Sequence, residues 1–226
     1  MPSKTPENAF LARIRSRRST RSYLWLVYSH KIRTDLILES NQEFAHWLLN
    51  LEFDAHVVDF WIPAANELYG DQVGGRRTRP DVVAKNADGV LEWHEVKAGY
   101  VDEVNPSQQI MMQRELAANN GALYRLFDES TRTARQYELL PRLRLMHFIA
   151  VGRNQPLVDY VQETVLSYVN QEQAGTFGGL LQAFPMLAPT HLICAMVRLT
   201  IEGFVTVEVE DSTPSQHTVW SLRGSS

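Results

Sequence analysis

The chain has 226 residues, 44% of them apolar, with a formal net charge of −4 and one cysteine. That length makes one large or two small domains, and the apolar fraction supplies an ordinary buried core. The lone Cys194 excludes a disulfide framework and a cysteine-rich zinc site. No apolar run reaches the ~18 residues of a membrane span, and the start, MPSKTPENAF, lacks a signal-peptide pattern. The expectation is a soluble, cytoplasmic protein.

The net charge hides an asymmetry. Residues 1–37 carry eight bases against two acids, whereas residues 155–226 carry two bases against seven acids. A basic start suits a phosphate backbone, and an acidic end is repelled by one and suits a protein partner.

Taken in order, residues 1–21 are arginine-rich, with Phe10, Leu11 and Ile14 interspersed. They read as a mobile arm or a short basic helix, with Arg17 and Arg18 as candidate DNA contacts. Tyr23 to Tyr28 is an aromatic run that suits a strand or a docking segment. Ser40-Asn41-Gln42-Glu43 opens a helix with Phe44, Trp47, Leu48 and Leu51 at helical spacing. Glu43 then has two readings: the returning acid of a capping box, reaching the Ser40 N–H, or an acid offered to a catalytic site. Glu39 and Glu52 are weaker candidates for the second role.

Ala55 to Trp61 predicts a strand ended by Pro63. Residues 64–77 form a polar excursion with Gly70, Gly74 and Gly75, and Arg76, Arg77 and Arg79 lie at its end. Those arginines either contact phosphates or solvate a plain loop. Pro106 begins a helix through about Asn119, stopped by Gly121. Gln109 and Gln113 share one of its faces and either touch substrate or its water or, as exposed glutamines usually are, stay solvated. Ala122–Phe127 and Thr133–Leu140 both predict strands, so the first part of the chain predicts a mixed sheet flanked by helices.

Pro141 to Asn154 leads into a second domain. Helices are expected at Leu157–Gln171, Thr176–Phe184 and Thr190–Glu202, and strands at Phe204–Glu210 and Thr218–Leu222. Three helices and a hairpin make a winged-helix-like module. A DNA-reading module of that kind is basic, whereas Glu202, Glu208, Glu210 and Asp211 line this one, which favours protein docking. The expected division is 1–37 (basic arm and docking segment), 38–145 (sheet domain) and 146–226 (winged-helix-like domain).

The sharpest chemical signal lies in Thr78 to Lys97, TRPDVVAKNADGVLEWHEVK. Asn86-Ala87-Asp88-Gly89 joins two β-prone runs, and a three-residue loop with Gly89 in the left-handed region pairs Asn86 with Val90. Counting outward, Asp81 falls opposite Glu95 and Arg79 opposite Lys97, all on one face. A two-residue loop would instead pair Asp81 with Val96 and move Glu95 to the far face. Two opposed carboxylates repel unless a cation lies between them, and hard oxygen donors suit Mg²⁺ or Mn²⁺. Lys97 would orient or deprotonate a water, or neutralise charge growing on a phosphate. The seven histidines show no spacing typical of a metal site, and His94, facing away from Glu95, reads as structural.

Ser40-x-x-Glu43, Arg79-Pro80-Asp81 and Glu95-Val96-Lys97, in that order and followed by the winged-helix-like tail, resemble the PD-(D/E)XK nucleases, and more particularly the TnsA endonucleases of heteromeric transposases. The resemblance covers about Leu38 to Leu140. It implies a restriction-endonuclease-like α/β (α+β) core with Glu43, Asp81, Glu95 and Lys97 as the catalytic set and Mg²⁺ held by the acids. It further implies cleavage of the 5′ ends of a transposon beside a TnsB-type transposase, with a TnsC-type AAA+ regulator meeting the C-terminal domain. Rival expectations are a non-catalytic nuclease-fold adaptor and another PD-(D/E)XK restriction or repair nuclease.

Overall fold

The computed structural model describes Ala12, Ile14 and residues 23–64, 66–70, 75–155, 158–209 and 213–224. Arg17 and Arg18, with nearly all of the basic arm, lie outside the described residues, as do Leu157, Glu210 and Asp211. The chain divides into two compact units: residues 1–51 with 56–134, and residues 52–55 with 135–226. The division falls at Ala134/Arg135 rather than at 145/146, because one helix runs from Gln136 to Gly152.

Unit one opens with a hairpin of β1 (Trp25–Ser29) and β2 (Thr34–Leu38). Helix α1 (Asn41–His46) follows and passes without a break into a π-helical stretch, Trp47–Glu52. Trp25 ties the hairpin to α1: its ring stacks on Phe44 at 4.2 Å between centroids, and its indole N–H donates to Asn41 at 3.0 Å.

The sheet has the order β3 (Val57–Trp61), β6 (Val82–Asn86), β7 (Leu91–Val96), β8 (Leu123–Phe127). The first three strands are antiparallel and β8 is parallel to β7, reached through helix α2 (Gln108–Asn119). A parallel neighbour needs such a crossover. Between β3 and β6 the residues 64–77 are not wholly loop: β4 (Tyr69–Gly70) and β5 (Arg77–Thr78) pair as a short ribbon. One face of the sheet packs Val83 and Trp93 against Leu116, Ala117 and Ala122 around α2. The other face carries His94, whose ring meets His46 of α1.

The β6–β7 register is the one that the turn predicts. Val82 pairs with His94 and Lys85 with Leu91, the Asn86 N–H donates to the Val90 carbonyl at 3.0 Å, and Gly89 has φ +81°. A Cβ on Gly89 would meet nothing within 4 Å, so its role is backbone freedom alone. Gly89→Val is therefore expected to cost about 1–2 kcal/mol, and Gly89→Asn less, since asparagine tolerates the left-handed region. Urea unfolding checks this, and equal costs for the two would point to a packing role instead.

The strand expected at Thr133–Leu140 is a correction. Helix α3 (Glu129–Ala134) and helix α4 (Gln136–Gly152) occupy this stretch. Buried Asp128 caps the first, accepting from the Thr131 N–H at 3.0 Å. In the second, Glu138 is held by Arg135 and Arg142 one turn away on either side. Pro141 lies inside α4, where it removes one donor without ending the helix. Buried Pro141, Leu145, Ile149 and Gly152 recur at the helical period instead of the alternation of a strand.

Unit two continues with α5 (Val158–Glu172), β9 (Ala174–Thr176), α6 (Phe177–Ala183), α7 (Pro189–Ile201), β10 (Val205–Val207) and β11 (Val219–Leu222). The three strands form an antiparallel sheet of order β10-β11-β9; β9 adds a strand that the sequence does not predict. Helix α7 packs against α4 and α5 and is buried on every side from Leu192 to Leu199. Among the described residues no helix is long and apolar enough to cross a membrane.

Candidate functional site

The paired run from Val82↔His94 to Lys85↔Leu91 stops one residue short of Asp81. The expected pair of Asp81 with Glu95 does not form in the ladder: Asp81 lies in a bend before β6 and its backbone bonds to His94 and not to Glu95, although its charge still reaches Glu95. Asp81 is exposed there, with its N–H on the His94 carbonyl at 3.0 Å and its Oδ2 accepting from the Val96 N–H at 2.8 Å. Arg79 and Lys97, expected opposite each other, are not paired: the chain before Pro80 turns away into β5, and the Lys97 N–H donates to Phe127 of β8 at 2.8 Å.

Glu95 lies on the face that α2 covers and is 4% exposed. Lys97 Nζ donates to its Oε1 at 2.5 Å, and the side-chain amide of Gln113 donates to its Oε2 at 2.8 Å. Burial raises the Glu95 carboxyl, Asp81 raises it further, and Lys97 and Gln113 oppose both. Tyr124 completes this group. Its hydroxyl donates to Gln113 at 3.4 Å, and burial together with the charge of Glu95 pushes it well above its usual range.

Glu43 approaches from the other face, on α1. Ser40 caps this helix, its Oγ accepting from the Glu43 N–H at 3.1 Å, while Glu43 Oε2 accepts from the Glu39 N–H at 2.7 Å. The capping interaction thus forms, but Glu43 returns to Glu39 and not to the Ser40 N–H. Burial raises the Glu43 carboxyl, and the charges of Glu39 and Asp81 raise it further. Asp81 therefore acts on both glutamates, since it stands at the end of the sheet where the two faces meet.

These oxygen donors are of the kind that Mg²⁺ takes. They do not converge as they stand: among the described residues no three His, Cys, Asp or Glu side chains are grouped to hold a metal ion. Each Glu95 oxygen accepts one hydrogen bond, from Lys97 and from Gln113, and keeps a second lone pair for a metal.

Glu39, Glu43, Asp81 and Arg79 line a cavity of about 410 Å³, whose other walls include Leu36, Trp47, Phe60 and Ile62. Glu52 is buried and does not line it. Of the arginines named from sequence, Arg77 and Arg79 are exposed, and Arg76 makes a two-pronged pair with Glu115 at 2.7 and 2.8 Å.

Two features escaped the sequence reading. Gln113, read as a solvated glutamine, is 3% exposed and bonded to Glu95. Its position at the helical period with buried Ile110, Leu116 and Ala117 was the available signal. The second is a buried polar chain behind the cavity. His46 Nε2 lies 2.9 Å from His94 Nδ1, His94 Nε2 lies 3.3 Å from Glu92 without hydrogen-bond alignment, and Glu92 accepts from Arg125 at 2.9 Å. Burial and the neighbouring imidazole hold His46 well below its ordinary value, so it is neutral. His94 and Arg125 lower Glu92 to about 2 against the opposing effect of burial.

No family model matches the chain, and no curated protein matches it.

Proposed function

We propose that the chain is a metal-dependent DNA endonuclease of PD-(D/E)XK type, working as the 5′-end-cutting subunit of a TnsA/TnsB-type transposase. The observation that carries this reading is the group at the sheet's end: Lys97 bonded to Glu95, and both Glu95 and Glu43, the latter brought up from α1, within electrostatic reach of Asp81. Asp81 and Glu95 would hold Mg²⁺ or Mn²⁺, with Glu43 as the further acid; when bound, the ion supplies a deprotonated water and a counter-charge for the phosphate.

The remaining steps belong to the chain itself. Lys97 donates to Glu95 in this structure and, released from it, is placed to orient the attacking water or to meet charge growing on a phosphate oxygen. Gln113 fixes the Glu95 carboxylate from behind, and Tyr124 in turn fixes Gln113. Arg77 and Arg79 offer exposed guanidiniums to the DNA backbone beside Asp81.

From α5 on, unit two follows the order helix, strand, two helices, strand, strand, which supports a winged-helix-like module. Its α7 offers no free face to a DNA groove, while Asp159, Glu163, Glu172, Glu202 and Glu208 are exposed. We assign this unit to protein docking, with an AAA+ regulator of the TnsC type as the partner that the resemblance implies.

The test is incubation of the full chain, a TnsB-type transposase and Mg²⁺ with transposon-end DNA. The 5′ strand is expected to be cut by the wild-type protein and left intact by Asp81→Ala and by Lys97→Ala; undiminished cutting by either variant would sink the proposal. A second reading, the non-catalytic adaptor, draws on the engagement of both Glu95 oxygens by protein donors. It predicts no Mg²⁺ binding by calorimetry, and complex assembly and transposition that survive Asp81→Ala.

Gln113→Ala gives a finer check. Removing a donor from a buried carboxylate raises its pKa, so the acidic limb of the cleavage profile is expected to move to higher pH. Cleavage at neutral pH should fall about 10–100-fold, as for other groups that support a metal ligand. An unmoved limb would show that Gln113 does not act through Glu95.

A further inference from the structure

The buried amide of Gln113 has a third partner. Its nitrogen, which donates to Glu95 Oε2 at 2.8 Å, also donates to Thr78 Oγ1 at 3.3 Å, and its oxygen accepts from the Tyr124 hydroxyl at 3.4 Å. A carboxamide has two N–H donors, so these bonds occupy both of them. One side chain of α2 thereby joins three strands: β5 through Thr78, β7 through Glu95 and β8 through Tyr124.

Thr78 is 9% exposed, whereas Arg77 and Arg79 on either side of it are exposed, as alternation along an extended chain gives. Valine has the same size and suits a buried strand position at least as well, but it cannot accept from the amide. The ribbon that carries Thr78 pairs over only two residues, Tyr69 with Thr78 and Gly70 with Arg77, too few to hold its place by pairing alone. It is tied to α2 at the surface by Arg76 and Glu115, and inside by Thr78 and Gln113. The inner tie leads to Glu95. A segment that presents two arginines to solvent is therefore bonded, through one amide, to a carboxylate of the proposed cutting site.

We propose that Thr78 is a positioning residue, which through Gln113 couples the seating of Arg77 and Arg79 on the DNA backbone to the placing of the Glu95 carboxylate. The inference rests on the nuclease reading above and adds to it regulation of that site by its own substrate. A phosphate that holds the ribbon keeps the Thr78 hydroxyl on one amide hydrogen, and so keeps the other aimed at Glu95. With the ribbon displaced, a buried N–H loses its acceptor and the amide turns to regain one.

The experiment uses the full chain with its transposase partner, Mg²⁺ and transposon-end DNA, and reads the maximal cutting rate separately from the DNA concentration that gives half of it. Thr78→Val is expected to lower the maximal rate about tenfold and leave the half-saturating concentration unchanged, and Thr78→Ser to keep at least about half of the wild-type rate. In a Gln113→Ala background, Thr78→Val should change the rate by less than about twofold, because the two act in series. Arg77→Ala should both weaken DNA binding and slow cutting at saturation in the presence of Thr78, and only weaken binding in the presence of Thr78→Val.

Equal losses in Thr78→Ser and Thr78→Val would make the residue a packing element and overturn the proposal. So would a Thr78→Val effect that persists in full beside Gln113→Ala, one confined to DNA binding, or a slowing by Arg77→Ala that Thr78→Val leaves unchanged. Each of these leaves the nuclease reading standing. No cutting by the wild-type protein overturns that reading, and this proposal with it.

Discussion

Asp81→Asn is expected to lower DNA cleavage by at least about a thousandfold and, without added metal, to raise the melting temperature of unit one. The first effect follows if Asp81 is the acid common to the site, since groups acting directly in such chemistry are worth about 10²–10⁴ in rate. The second follows from the repulsion that Asp81 imposes on Glu43 and Glu95. Asparagine keeps an oxygen for the Val96 N–H, so the strand end stays tied while the charge is lost.

The pH dependence has a definite sign. A carboxyl whose folded pKa is raised binds its proton more tightly in the folded state, so the stability cost is absent below the ordinary value near 4.5. It grows as pH rises through the raised value and is complete above it. The gain from Asp81→Asn should thus be seen by differential scanning fluorimetry at pH 8 and fade near pH 4. Mg²⁺ should stabilise the wild-type protein at pH 8 by about 2.7 kcal/mol at a hundredfold excess over its Kd, and should not stabilise Asp81→Asn. Loss of activity without any gain in stability would mean that Asp81 is not the repulsive centre of the group.

Trp220→Ala carries the largest expected cost in unit two. The residue is 0% exposed, its indole N–H donates to the Thr176 carbonyl at 3.2 Å, and its ring lies 6.0 Å from that of Tyr168 between centroids. Gly175, opposite it on β9, lets the ring lie against the backbone: a Cβ there would come within 2.9 Å of Trp220. Truncating a buried tryptophan costs about 3–5 kcal/mol. A domain's whole stability is about 5–15 kcal/mol, so unit two is expected to unfold at much lower urea. Trp220→Phe should recover most of the loss, while Gly175→Ala, which forces the ring away, should be destabilising despite its small size. A Trp220→Ala protein that melts like the wild type would show that β9 and β11 are held by other means.

How much of this was legible beforehand differs by element, and the difference has a cause. The register of β6 on β7 follows from Gly89, because a turn's geometry is set by adjacent residues whose backbone preferences are local. The cap at Ser40 and the period of α2 are local in the same sense. Thr133–Leu140 misled because the stretch was ended at Pro141, whereas Glu138, Pro141 and Leu145 share the buried side of a helix that runs through that proline. Gln113 looked solvated since a polar residue on a helix gives no sign that a charged partner stands on the strand beneath it.

Sequence alone determined the register of β6 on β7 from Lys85 with Leu91 to Val82 with His94, and so brought Glu95 and Lys97 to the end of β7, since a three-residue turn fixes that register. Tertiary structure alone decided three things that depend on residues distant in the chain. Asp81 ends the sheet where both faces meet, and so joins Glu43 on α1 to Glu95 beneath α2. Gln113 and Lys97 hold the two Glu95 oxygens. The cavity that Glu39, Glu43 and Asp81 line exists because the β1–β2 hairpin, the helix after Ser40 and the start of β6 enclose one space, and packing between elements is not encoded in any one of them.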